Sequence, residues 1–103
     1  MLLGAGADVN KARFDGHTAL MITGERGHTS TVSLLLQAPG LHINKVDHEG
    51  RTSLSIAARM GKTAVVKALL QSGAEVGTAL VFASYFGVPA VVVALLEAGA
   101  EVK

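Results

Sequence analysis

The sequence predicts an all-α array of stacked helical repeats, and three observations predict it. One pattern recurs along the chain: Gly16-His17-Thr18-Ala19-Leu20, Gly50-Arg51-Thr52-Ser53-Leu54 and Gly77-Thr78-Ala79-Leu80. Each copy is followed by a second glycine (Gly27, Gly61, Gly87) and a Val-rich run ending in a leucine pair (Leu35-Leu36, Leu69-Leu70, Leu95-Leu96). Within those runs the apolar residues keep the i, i+3, i+4 spacing of a buried helical stripe. A truncated copy opens the chain as Leu2-Leu3-Gly4-Ala5-Gly6-Ala7-Asp8-Val9-Asn10.

The elements follow in order within each unit. Thr18, Thr52 and Thr78 stand just before a short apolar-periodic run, where a hydroxyl accepts from a backbone N–H of the first helical turn. Leu20, Leu54 and Leu80 then point inward with Ile22, Ile56 and Phe82. The small pairs Thr23-Gly24, Ala57-Ala58 and Ala83-Ser84 let neighbouring units approach closely. Gly27, Gly61 and Gly87 end the first helix, because a residue without Cβ takes the left-handed cap at little cost. The second helix buries Val32, Leu35 and Leu36, then Val65, Val66, Leu69 and Leu70, then Val91, Val92, Leu95 and Leu96. One helix pair cannot cover its own apolar face, so stability comes from stacking.

Spacing divides the chain unevenly. Leu20 to Leu54 spans 34 residues, Pro39-Gly40 adding one to a loop, whereas Leu54 to Leu80 spans only 26. The segment equivalent to Asn44–Gly50 has no counterpart between Val76 and Thr78. That is a plain shortening, a flexible finger missing from this sequence, or the loss of a contact element that opens the surface there. The chain reads as one domain, 1–103, made of a partial unit 1–12, units 13–46 and 47–76, and a unit 77–103 without the projecting loop.

Bulk composition excludes several classes of activity. Half of the residues are apolar with few aromatics, so Ala, Val and Leu make the core. Nine basic against eight acidic side chains lack the electrostatic footprint of a nucleic-acid binder. Without cysteine there is neither a disulfide framework nor a thiolate metal site, and an intracellular, cytoplasmic setting is expected. The first residues lack the basic segment of a signal peptide. The longest apolar run, Val88–Leu96, is about half of a membrane span.

Catalytic and cofactor chemistry finds no support. Gly61-Lys62-Thr63 resembles the end of a phosphate loop, but Ile56 occupies the place of its first glycine. Gly4-Ala5-Gly6 lacks the third glycine of a dinucleotide fingerprint. His17, His28, His42 and His48 scatter over a turn, a helix start and loops. His48, with Asp47 and Glu49, reads as a solvated loop tip. No serine has a nucleophile-elbow setting. The expectation is therefore no enzyme, no metal and no cofactor.

With these landmarks at a period near 33 residues, the chain resembles the ankyrin repeat over essentially its whole length. The resemblance implies a solenoid of helix–turn–helix units with short β-hairpin loops, acting as a protein–protein interaction module: an adaptor, scaffold or regulatory domain. The alternatives are a targeting domain of a larger multidomain enzyme and a self-associating structural array. It further implies a concave groove lined by hairpin tips and the ends of the first helices. The matching positions are Phe14, Asp15 and His17; Glu25 and Arg26; His48, Glu49 and Arg51; Arg59 and Met60; and Tyr85 and Phe86. Aromatics and arginine are enriched among interface anchors.

Departures from the family pattern carry expectations of their own. No copy keeps the family's Thr-Pro-Leu-His histidine, so a weakened capping network is expected. Thr31 stands for an aliphatic residue and Gly24 for alanine. Asn10, and less closely Asn44, match the asparagine that is hydroxylated in such arrays. Neither end carries a polar cap. That points to a piece of a longer array, or to self-association through an apolar C-terminal helix at Ala90, Val93 and Ala94. The expected partner is a protein, neither nucleic acid nor membrane.

Overall fold

A computed structural model describes residues 8–77 and 79–101, except for the side chains of 100 and 101. Among the described residues there are six helices: α1 (Ala19–Arg26), α2 (Thr29–Leu36), α3 (Ser53–Arg59), α4 (Thr63–Gln71), α5 (Ala79–Phe86) and α6 (Pro89–Glu101). They form the pairs α1–α2, α3–α4 and α5–α6. In the stack α3 packs between α1 and α5, and α4 packs between α2 and α6.

The same backbone chemistry ends each first helix. Gly27 donates to the Gly24 carbonyl and His28 to that of Thr23; Gly61 and Lys62, then Gly87 and Val88, repeat both bonds. The three glycines have φ of 75°, 71° and 67°, the left-handed conformation that closes a helix C-terminus. The next helix therefore starts after only two or three intervening residues.

At the N-termini the expectation of weak capping is corrected in the second unit. Ser55, standing where the family has histidine, accepts from Thr52 N–H at 2.9 Å, and Ser55 N–H donates to Thr52 Oγ1 at 3.1 Å. This reciprocal capping box replaces the imidazole. Met21 at the same place can only donate its N–H to Thr18 Oγ1, at 3.4 Å. The expected cap at Thr78 lies outside the described residues.

Leu20, Leu54, Leu69, Leu95, Val32, Val65, Val66 and Val91 form the buried core. Several inward positions differ from the sequence expectation. Met21 is buried in place of Ile22, and Ala79 and Ala83 are buried while Leu80 and Phe82 are only partly so. Ala94, expected on the outer face, is buried against the stack, and Leu96, expected in the stripe, is 55% exposed. These shifts share a cause. Periodicity within one helix marks the side facing its own partner, but burial also depends on the units before and after.

Thr31 illustrates the point. Its equivalents Val65 and Val91 are buried against the preceding unit, whereas Thr31 is exposed. A hydroxyl suits a site that water reaches. The Gly24 departure has the opposite setting, since Gly24 is buried and a Cβ there would sit 3.5 Å from Val65 Cγ1, an ordinary contact.

The hairpin loops carry less β-ladder than expected. Their only ladder element among the described residues is one bridge, Ala12 to Thr18; otherwise they are turns. Ahead of α5, Ala79 N–H donates to the Val76 carbonyl at 2.9 Å.

Leu69→Ala should lower stability by about 2–5 kcal/mol, the range for a buried large-to-small change, while Lys62→Ala leaves the thermal midpoint nearly unchanged. Gly24→Ala should raise stability by about 0.5–1 kcal/mol, because alanine fits the space and a helix interior disfavours glycine. Denaturant melts of the three variants check the repeat register directly.

Candidate functional site

Two loops project from the starts of α1 and α3 and share one backbone design. In the first, Gly16 N–H donates to the Arg13 carbonyl and Arg13 N–H to that of His17; in the second, Gly50 donates to Asp47 and Asp47 to Arg51. The loops press together closely enough that only glycine fits at position 16. Its φ is +86°, and a Cβ would fall 2.8 Å from the backbone nitrogen of His48.

Asp47 ties this contact together. Read from sequence as a loop-tip charge, it is instead 4% exposed, which corrects the solvated-tip reading for that residue. Its Oδ1 accepts from the Glu49 and Arg51 N–H groups, both at 2.9 Å, and its Oδ2 from Arg51 Nε at 2.9 Å and His17 Nε2 at 3.0 Å. Burial alone would push the Asp47 carboxyl up, but hydrogen bonds from the Arg51 N–H and guanidinium and the Glu49 N–H outweigh it. They hold it below its ordinary value. In the neighbouring loop, the Arg13 guanidinium, 2.7 Å from Asp15 Oδ2, and the His17 N–H draw the Asp15 carboxyl down to about 2.

This network engages two residues of the expected groove. His17 Nε2 and Arg51 Nε bond Asp47, and Arg51 Nη2 reaches Glu49 Oε1 at 2.7 Å. Both side chains thus help to join the two loops. Sequence reasoning missed Asp47 itself. The available signal was Asp47-x-x-Gly50, a side chain placed to satisfy its own turn.

Behind the loops, two asparagines clasp successive units. Asn10 accepts from His42 N–H at 2.7 Å and donates to the Gly40 carbonyl at 2.8 Å. Asn44 accepts from Glu75 N–H at 2.9 Å and donates to Glu75 Oε1 at 3.2 Å. Both amides are thus engaged in joining one loop to the next.

The remaining residues of the expected groove stay exposed. Phe14 is 91% exposed at its loop tip, flanked by the Arg13–Asp15 pair. His48 and Glu49 occupy the second tip, also exposed. Arg26, Arg59-Met60 and Tyr85-Phe86 occupy equivalent C-terminal ends of α1, α3 and α5, which lie side by side; Glu25, just before Arg26, is partly buried. The Arg59 guanidinium carbon stands 5.5 Å from the Phe86 ring centroid, and Tyr85 meets that ring edge-on at 5.0 Å. Among the described residues no carboxylate lies within ion-pair distance of Arg59. On the opposite side, a shallow cleft of about 270 Å³ between α4 and α6 is lined by Lys67, Gln71 and Glu97.

Stacked helix pairs, glycine-closed helices and paired projecting loops define a repeat protein of one kind, and comparison agrees. A family model described as ankyrin repeats matches residues 1–78 in three copies. The chain belongs to the ankyrin-repeat family, whose members are generally non-enzymatic protein–protein interaction modules. A search of curated proteins finds no match. The pair α5–α6 lies beyond the matched residues yet continues the stack. No described helix is long and apolar enough to cross a membrane.

Asp47→Asn should cost about 1–3 kcal/mol at neutral pH, since an amide NH₂ would face the Arg51 and His17 donors. The sign with pH follows from the lowered carboxyl. Stability contributed by Asp47 is complete above about pH 5 and is lost as pH falls through the unfolded value of ~3.9 toward the lower folded one. Melting midpoints of the parent should fall across that window, and those of Asp47→Asn should fall less.

Proposed function

We propose that this chain is an adaptor, scaffold or regulatory module that takes a protein segment along the strip formed by Arg26, Arg59, Met60, Tyr85 and Phe86. The observation that carries the reading is the Arg59–Phe86–Tyr85 cluster. A guanidinium held over a ring keeps its edge donors for a partner while losing little further side-chain freedom. Such an arginine suits a carboxylate, and the aromatic pair beside it suits an apolar side chain. Tyr85 is 81% exposed, so this surface is open to a partner.

The preferred partner is therefore an extended or helical segment with an acidic residue toward Arg26 and Arg59 and apolar residues toward Tyr85. Phe14, His48 and Glu49 at the loop tips, with Glu25, supply the outer margin of the same surface. The ordinary explanation of Arg26 and Arg59, a favourable charge in the last turn of a helix, also holds. It accounts for their charge and not for the ring beneath Arg59. A cytoplasmic setting belongs to the same proposal, resting on the absence of cysteine.

Peptides selected from a random library on the parent chain should share an acidic residue followed by aromatic or aliphatic ones. Replacing Arg59 and Tyr85 together by Ala should weaken those peptides by at least about 30-fold, the equivalent of the ~2 kcal/mol of a hot-spot loss. The circular-dichroism spectrum and melting midpoint should stay as in the parent, because both side chains are exposed. Undiminished binding by the double variant would overturn the assignment.

A further inference from the structure

Sulfur is the softest atom this chain offers an oxidant. There is no cysteine, and of the three methionines Met1 lies outside the described residues. The other two are placed oppositely. Met21 is 1% exposed inside the stack, whereas Met60, closing α3, is 45% exposed. Oxidation follows access to the sulfur, so of these two thioethers Met60 is the one a dissolved oxidant reaches.

Its position gives that chemistry a consequence. Arg26, Met60 and Phe86 each stand one residue before the glycines that close α1, α3 and α5. Those helices lie side by side, so Met60 is at the centre of the strip, between its cationic and aromatic ends. Backbone bonds hold the helix end there: Met60 N–H donates to the Ile56 carbonyl at 3.0 Å, and Gly61 N–H to that of Ala58 at 3.2 Å. A change at the exposed sulfur therefore alters the strip and leaves the helix end intact.

We infer that Met60 is an oxidation-sensitive switch on this strip, an inference that rests on the strip being the partner surface. The oxidant is hydrogen peroxide. The sulfur lone pair attacks one peroxide oxygen; an S–O bond forms as the O–O bond breaks, and hydroxide leaves. That hydroxide takes the proton from the oxygen now on sulfur. The products are methionine sulfoxide and water, with sulfur oxidised by two electrons. A flexible apolar side chain thereby becomes a polar one. Apolar surface is lost beside the aromatic pair, and an oxygen acceptor appears next to Arg59, in competition with a partner's carboxylate. Two thiols reverse the step: they become a disulfide, and the oxygen leaves sulfur as water.

Peptides free of methionine and cysteine, selected on the parent chain, serve as the probe. The chain is treated with dilute peroxide, freed of it, and mapped by mass spectrometry before peptide is added. Met60 should gain one oxygen well before Met21, peptide affinity should fall about tenfold or more, and the melting midpoint should stay as in the parent. Methionine sulfoxide reductase with a dithiol should restore the affinity. Met60→Leu, whatever its own starting affinity, should bind equally before and after peroxide. Oxidation of Met21 as fast as Met60, undiminished binding by the Met60 sulfoxide, or a peroxide-induced loss that persists in Met60→Leu would each overturn the switch. A parent that takes no peptide at all overturns the strip itself, and the switch falls with it.

Discussion

How closely α3 can be approached from both sides governs everything else in this array. Its residues from Ser53 to Ala58 are all buried, an unbroken run that leaves only Arg59 at the surface. Such a helix is possible only if its side chains are small on both flanks. Ala57 and Ala58 meet that need on α3, Gly24 on α1 and Ala83 on α5. The second helices meet through Val65, Val66, Leu69 and Leu95 instead. Small contacts on one side and large ones on the other give each unit a wedge-shaped section, narrower along α1, α3 and α5. The polar atoms carried inward are satisfied: no buried side-chain nitrogen or oxygen among the described residues lacks a partner.

The loops exploit that closeness. Because α1 and α3 are neighbours, their preceding turns fall side by side, and Gly16 lets one backbone touch the other. The contact removes Asp47 from water and recruits His17 and Arg51 to compensate it. A buried carboxylate of this kind stabilises only when every lone pair has a donor, and Asp47 receives four. The charge network is thus a product of the packing and not an independent clamp. It also explains why His17 and Arg51 are engaged between the loops, while Arg59 stands over an aromatic ring.

Much of this was legible in the sequence because repetition supplies its own alignment. The glycines closing each first helix, the caps at Thr18 and Thr52, and the core leucines Leu20, Leu54, Leu69 and Leu95 all follow from landmarks recurring at fixed offsets. What was not legible depends on residues about thirty positions away. Met21 is interior and Thr31 exterior according to whether another unit lies alongside, which helical periodicity does not encode. Asp47 looked like a solvent charge because its local neighbours are polar; the adjacent loop buries it. Ser55 broke the family pattern and was read as a loss, although a hydroxyl at that spacing performs the same reciprocal bond as the ring it replaces. At the candidate site, the ends of α1, α3 and α5 could be named in advance, but not which arginine would stand over an aromatic ring.

The division of charge along the chain has a consequence for how the array answers its solvent. One half is joined by carboxylates, guanidiniums and amide clasps, the other chiefly by apolar side chains. Cooling weakens apolar association and sulfate strengthens it, so these act chiefly on α5–α6. Ionic strength acts instead on the exposed Arg13–Asp15 pair and leaves the shielded Asp47 contacts largely intact. A molecule assembled from nearly identical units therefore has two ends with different physical responses, and a change of temperature or salt can loosen one while tightening the other.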